Sequence, residues 1–393
     1  MVEEVPLYEP CGEGEHLYVT IEKCRRTTTD VIHRLAKIFH VRQSEIGFAG
    51  LKDKHAVARQ QLSIRLPDTS QDQALLDQID PVDMRLISAA RHTNKLRRGH
   101  LLGNRFEIRI RDVQPDVLEN AGRILDRLVE TGAPNFIGAQ RFGYRGDNDK
   151  LGRLLLLAED QQLVDRMLGQ PAKTDFDATR TAREAYDRGD YDAAMQAWPY
   201  HLRYEHHMLN LIRQGQSPKQ AVAAIAPVQK EFLISGLQSA IFNLILHRRI
   251  TDGLFDKLVE GDLAWKHDRR AVFAVDQETA ELENGPQGRA GLHEVSPSGP
   301  MWGSDMSRAA GQVDQWELDA LAAYELSVEQ VAGKGKHSAS GARRPMRMFL
   351  KDAQITADTD EHGPYIGVAM QLERGCFATT VLSEIMKTDG ASA

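Results

Sequence analysis

The period of the apolar residues changes along this chain, and that change restricts the folds open to it. Up to about residue 150 the dominant pattern alternates every second residue. Phe106, Ile108 and Ile110 alternate with Arg105, Glu107, Arg109 and Arg111, which predicts a strand with Phe106, Ile108 and Ile110 turned inward. Leu62, Ile64 and Leu66 alternate with Ser63 and Arg65 up to Pro67, and His16 to Lys23 and segment 84–90 read the same way. Thr28 or Thr29 is placed to cap a helix whose stripe is Val31, Leu35, Ile38 and Phe39. Pro115 fits the first turn of a second helix through Leu118, Ile124, Leu125 and Leu128, stopped near Gly132. The order β-α-β-β-β-α predicts an α+β sheet with helices on one face.

From about Lys150 the spacing becomes helical, over 151–168, 179–213 and 218–250. Segment 276–295 is acidic and glycine-rich, with a turn signal at Asn284-Gly285-Pro286 and no strong period. Strand-like patterns return at 343–353 and 371–380, and 382–386 reads as a short helix. The expected organisation is a sheet domain of residues 1–151 and 343–393, interrupted by a mainly helical insertion of residues 152–342.

A chain of 393 residues has room for two or three domains. Its 41% apolar and 27% charged content is that of an ordinary globular protein. No apolar run approaches the roughly 18 residues that span a bilayer, and the first residues, Met1-Val2-Glu3-Glu4, lack the basic and apolar regions of a signal peptide. Cys11, Cys24 and Cys376 are an odd set without CxxC spacing, which suggests reduced thiols and a cytoplasmic protein. The net charge of −7 argues against indiscriminate nucleic-acid binding, yet its distribution is uneven. From Arg91 to Arg111 seven Lys or Arg face one acid, Glu107, and Lys334, Lys336, His337, Arg343, Arg344 and Arg347 follow one another with no acid between. Such stretches can track a phosphate backbone, or can be solvated charged faces.

Three segments carry the chemistry. In 47–60, Gly-Phe-Ala-Gly-Leu-Lys-Asp-Lys-His-Ala-Val-Ala-Arg-Gln, one carboxylate, Asp53, stands between Lys52 and Lys54. Neighbouring cations favour the ionised form, so Asp53 is a candidate nucleophile or base. For a bare K-D-K a charged surface turn is the competing reading. In 134–143 the amide of Asn135 can read a base edge, and Phe136, Arg141 and Phe142 could stack on bases, although both Phe also suit a core. In 95–106, Lys95, Arg97 and Arg98 precede Gly99, Gly103 and Asn104, as in a phosphate-gripping loop. His201, Glu205, His206 and His207 have no second cluster beside them and read as a helix surface, so no metal site is expected. Gly333-Lys-Gly-Lys336 lacks Walker A spacing.

In this order and spacing, GFAGLKDKHAVARQ, KLRRGHLLGNRF and PNFIGAQRFG resemble the signature segments of the TruD family of pseudouridine synthases. Similar short matches run along the chain, at Gly12-Glu-Gly-Glu-His16, residues 235–243, Ser298-Gly-Pro-Met-Trp-Gly303, Arg343-Arg-Pro-Met-Arg347 and residues 375–382. The resemblance implies isomerisation of a uridine to pseudouridine in structured RNA, with no cofactor and no metal, and in the bacterial branch a D-arm uridine of tRNA, position 13. It implies a mixed-sheet catalytic domain interrupted by a family-specific insertion domain, acting as a monomer. Asp53 corresponds to the catalytic aspartate, and Lys52, Lys54, Arg97, Arg98, Asn104, Asn135 and Phe136 become substrate-binding candidates. Asp53 would attack C1′ or take a proton from C2′ once the C1′–N1 bond breaks, and the sequence leaves both routes open. Three positions depart from the pattern. Ile137 stands where an aromatic is usual, Ala58 replaces a threonine, and the basic residue that normally precedes the first strand has no counterpart. Either Met1 is not the true start, or another cation serves beside Asp53, with Lys52 and Lys54 the nearest by sequence. A non-catalytic RNA-binding or RNA-chaperone protein with the same fold is the alternative reading.

Overall fold

The alternating segments assemble into one mixed sheet of β1 (Val2–Pro6), β2 (His16–Lys23), β3 (Ile46–Phe48), β4 (Ala58–Arg65), β5 (Met84–His92) and β6 (Leu101–Ile110). The structure, a computed structural model, describes residues 1–79, 82, 84–113, 117–333, 335 and 337–387. Two short strands, β7 (Ala133–Pro134) and β12 (Arg347–Met348), stand where the chain leaves and re-enters the sheet unit. Between them lie β8 (Leu263–Lys266), β9 (Ala271–Ala274), β10 (Val295–Met301) and β11 (Ala342–Pro345); β13 (Lys351–Asp360) and β14 (Gly363–Glu373) follow. The large sheet has the order β13-β14-β6-β1-β4-β2-β5, with β3 also paired to β4. β1 runs parallel to β4 and antiparallel to β6. The fold is α+β with a mixed sheet, as expected.

The chain divides into two compact units, the first Met1–Ala133 with Met348–Ala378 and Glu384–Met386, the second Pro134–Arg347 with Thr379–Ser383. By compactness the passages therefore fall at 133/134 and 347/348, whereas composition changes near 151 and 343. Residues 134–150 go with the second unit because Ile137 packs into the cluster of Leu237, Ile241 and Phe242.

In the first unit, Leu17, Val19 and Ile21 of β2 and Leu62 and Ile64 of β4 meet Val31 and Leu35 of helix Thr28–Ile38 and its C-cap residue Phe39. Each such aliphatic side chain contributes about 1.5–3 kcal/mol when fully buried. The cap of this helix is Thr27, which forms a reciprocal capping box with Asp30. Thr28 lies one residue inside, buried, and serves another purpose described below. Phe106, Ile108 and Ile110 are half-buried on β6. Helix Val117–Thr131 ends at Gly132, whose φ of +80° only glycine adopts readily; Pro115 lies outside the described residues.

In the second unit, segment 151–168 is two helices, Asn148–Leu156 and Asp160–Leu168, with Ala158 at φ +54° between them. Segment 276–295 contains helix Gln277–Asn284, and β11-β10-β8-β9 form a separate sheet. The second unit is therefore helical with a sheet of its own. Near the C-terminus the strand is β14, ending at Glu373, and the helix starts at Ala378 and runs to Met386. The reading of 371–380 as a strand is corrected accordingly.

Candidate active site

Asp53 lies on the connection from β3 to β4 and is exposed, as are Lys54 and His55. Beneath it the connection is fastened by buried polar groups. The Lys52 amide donates to Thr28 Oγ1 (2.9 Å), the Thr28 hydroxyl donates to Gln60 Oε1 (2.9 Å), and Gln60 Nε2 donates to the Gly50 carbonyl (3.0 Å). Thr28 can be used so because Thr27 does the capping. The Lys52 side chain turns inward. Its ammonium is 2.8 Å from Glu4 Oε2 and donates to Asn104 Oδ1 at 2.7 Å. Both charged side chains are almost fully covered, at 4% and 3% exposure, so Lys52 is paired with Glu4 and faces away from solvent. Burial raises the pKa of the Glu4 carboxyl, and Lys52 opposes that rise.

A second lysine, which the residue pattern alone did not single out, approaches the turn. Lys23 is 1% exposed, and its ammonium donates to the main-chain carbonyls of Asp53 and, at 3.4 Å, Lys52. Its pKa is lowered by burial, and the charge acting on it most strongly is that of Asp53, which opposes the effect. The sequence carried a signal: Lys23 follows Leu17, Val19 and Ile21 at the inward register of β2, an unusual place for an ammonium.

The loop with Arg97 and Arg98 is held in the same unit. Gly99 N donates to the Ala49 carbonyl (2.8 Å), and Leu96 N to Ser63 Oγ (2.9 Å). Arg374 donates to the Gly99 carbonyl. Arg97 is exposed, and exposed Arg98 lies over the Phe48 ring, 5.2 Å from its centroid.

The rest of the basic stretch behaves otherwise. Arg91 is buried against Asp72, Arg105 pairs with Asp352 (3.4 Å), and Arg109 and Arg111 share Asp360 at 2.7 and 2.6 Å beside the Tyr365 ring. Their acids come from distant segments, so a local tally of cations overstated the free positive charge. The second stretch is corrected too. Arg343 is buried against Glu317 (2.8 Å), and Arg347 donates to the carbonyls of Ala290 and Val295, its pKa lowered by burial to about 10. Lys334 and Lys336 lie outside the described residues.

In the second unit Asn135 is buried, and its amide is held at both ends: Nδ2 donates to the Pro345 carbonyl (2.8 Å) and Oδ1 accepts from Arg344 (2.5 Å). Phe136 is half-buried, and its carbonyl accepts from Thr380. Ile137 is core; Asn243 grips its amide and its carbonyl, each at 2.9 Å. Arg141 lies over the Phe232 ring, 5.3 Å from its centroid, and burial lowers its pKa.

The family model described as tRNA pseudouridine synthase D (TruD) matches residues 1–385. The chain belongs to the TruD family. TruD members are pseudouridine synthases, RNA isomerases, and this chain is one. It is 37% identical to the tRNA pseudouridine synthase D of Geobacter sulfurreducens, covering 100% of this chain and 93% of that one. With a tRNA pseudouridine synthase D of Thermus thermophilus it shares 35% identity over 99% of this chain and 86% of that one. A TruD crystal structure from Methanosarcina mazei superposes with a TM-score of 0.82 at 25% identity, covering 99% of this chain and 92% of the other. Among the described residues no helix is long and apolar enough to cross a membrane.

Exposure leaves Arg97 and Arg98 available to a phosphate backbone. Replacing either by Ala is expected to weaken tRNA binding about 3–10-fold and to lower the slope of log K against log salt by about 1. Titration of each variant at several salt concentrations checks this, and an unchanged slope removes that residue from the interface.

Proposed function

We propose that this TruD enzyme isomerises a D-arm uridine of tRNA, position 13, to pseudouridine, with Asp53 as the catalytic carboxylate. The observation that carries the assignment is the turn itself, where an exposed carboxylate stands on main chain fastened from below by Thr28, Gln60, Lys52 and Lys23. A carboxylate so held can meet positive charge that develops on the ribose as C1′–N1 breaks, without reorganising. The isomerisation is redox-neutral: the C1′–N1 bond breaks, the uracil turns, and C5 bonds to C1′, while the C5 proton departs to solvent and N1 takes up a proton. The target base has to leave its stack first.

Arg97, Arg98 and Lys54 are assigned to the RNA backbone in this reading. Lys52 and Asn104 act from below by fixing the turn, and Asn135 and Phe136 are proposed as further substrate-binding residues. In this reading the catalytic domain takes in residues 1–151 and 343–393, of which 134–151 and 343–347 belong to the second compact unit, the insertion is 152–342, and the enzyme works as a monomer in the cytoplasm. Incubation with an unmodified tRNA transcript, followed by chemical mapping, is expected to give pseudouridine at position 13 and none when that uridine is replaced by cytidine. Modification at another position would overturn the site assignment. RNA binding without any product from this transcript would overturn the choice of substrate.

A further inference from the structure

We infer that Lys23 is a positioning residue for Asp53: its buried ammonium ties down the main chain of the catalytic turn and supplies the local positive charge beneath the carboxylate. The inference rests on the reading of Asp53 as the catalytic group.

An ammonium taken out of water is costly, and a protein normally offsets the cost with a carboxylate at contact distance. Lys52 follows that rule with Glu4. Among the described residues Lys23 forms no such contact pair; it donates to the carbonyls of Lys52 and Asp53. Those two carbonyls flank the Cα of the residue that carries the reacting group, so clasping both restrains the peptide planes from which the Asp53 side chain departs. Two cations therefore reach this turn with separate duties. Lys52 closes a neutral buried pair with Glu4 and Asn104. Lys23, with no carboxylate at contact distance among the described residues, has Asp53 as the strongest charge acting on it. Apolar residues stand at the preceding inward positions of β2, so a side chain that only filled space at position 23 would need no charge. A charged group at that register is explained by what it holds.

The test compares Lys23→Met, Lys23→Arg and Asp53→Asn with wild type, reading kcat and KM for a tRNA transcript and the melting temperature of each. Lys23→Met is expected to lower kcat roughly 100-fold with KM within about twofold, while Lys23→Arg, which keeps charge and donors, stays within about fivefold of wild type. Should Lys23→Met lose its fold, Lys23→Gln serves as the uncharged variant under the same criteria. An uncharged variant with wild-type kcat overturns the inference, as does an Arg variant that falls as far as the uncharged one. Asp53→Asn separates the two claims. If it turns over like wild type, the reading of Asp53 fails; if it is inactive while the uncharged variant is unaffected, only the role of Lys23 fails.

Discussion

Asp53→Asn is expected to bind tRNA within about twofold of wild type and to lose at least about 10⁴-fold in kcat, the scale seen when a catalytic carboxylate is removed from a preorganised site. Asn has the shape of Asp without its charge, so it can neither attack C1′ nor accept the C2′ proton. It also cannot stabilise positive character on the ribose. Asp53 is exposed on its turn, and substitution of an exposed side chain usually changes stability by no more than about 0.5 kcal/mol. The fold and the RNA contacts should therefore survive. Release of tritium from tRNA labelled at uracil C5 measures the reaction directly, because C5 loses its hydrogen only when it bonds to C1′. Release within tenfold of wild type would sink the assignment.

The largest expected loss of stability comes from a different buried charge. Arg249 and Asp262 are both 0% exposed and meet in a two-pronged contact of 2.8 and 3.0 Å. Asp262 also accepts the Val259 amide, and Arg249 donates to the Leu254 and Lys257 carbonyls. Asp262→Ala leaves the guanidinium inside with carbonyls alone, and an uncompensated buried charge costs about 3–5 kcal/mol. The double change Arg249→Met with Asp262→Leu removes both charges and should recover most of that loss. Urea denaturation of the single and double variants checks both statements. A single variant within about 1 kcal/mol of wild type would show that water reaches the pair in solution.

Sequence legibility followed the mechanism of each element. β2 and β4 could be read because one face of each meets a helix, so apolar residues recur at every second position. β13 could not: as an edge strand it is mostly exposed on both faces, and Lys-Asp-Ala-Gln-Ile-Thr-Ala-Asp-Thr-Asp carries almost no alternation. β14 does carry it, in Ile366, Val368, Met370 and Leu372, so placing a strand only from 371 missed a visible signal. β10 was concealed by Pro297 and Pro300, residues that argue against a strand lying between two others. At the candidate site, the turn and its carboxylate were legible from residue types. The roles of its lysines were not, because inward and outward differ only in three dimensions. Lys52 and Lys54 look equivalent in sequence, yet one is buried against Glu4 and the other is exposed. The four arginines paired with Asp72, Asp352 and Asp360 show the same limit, since charge compensation arises between segments far apart in the chain.

The place of β1 in the sheet has a consequence for the order of assembly. β2, β3, β4 and β5 form one half and β6, β14 and β13 the other, and along the sheet only Val2–Pro6 joins them. In the folded sheet this short segment lies between β4 and β6 and closes the seam between the halves. β1 precedes the other described strands of its sheet in the chain, and one of its two partners, β6, lies about a hundred residues later. Glu4 travels with it, so closing the seam is also the event that brings Lys52 its counter-charge.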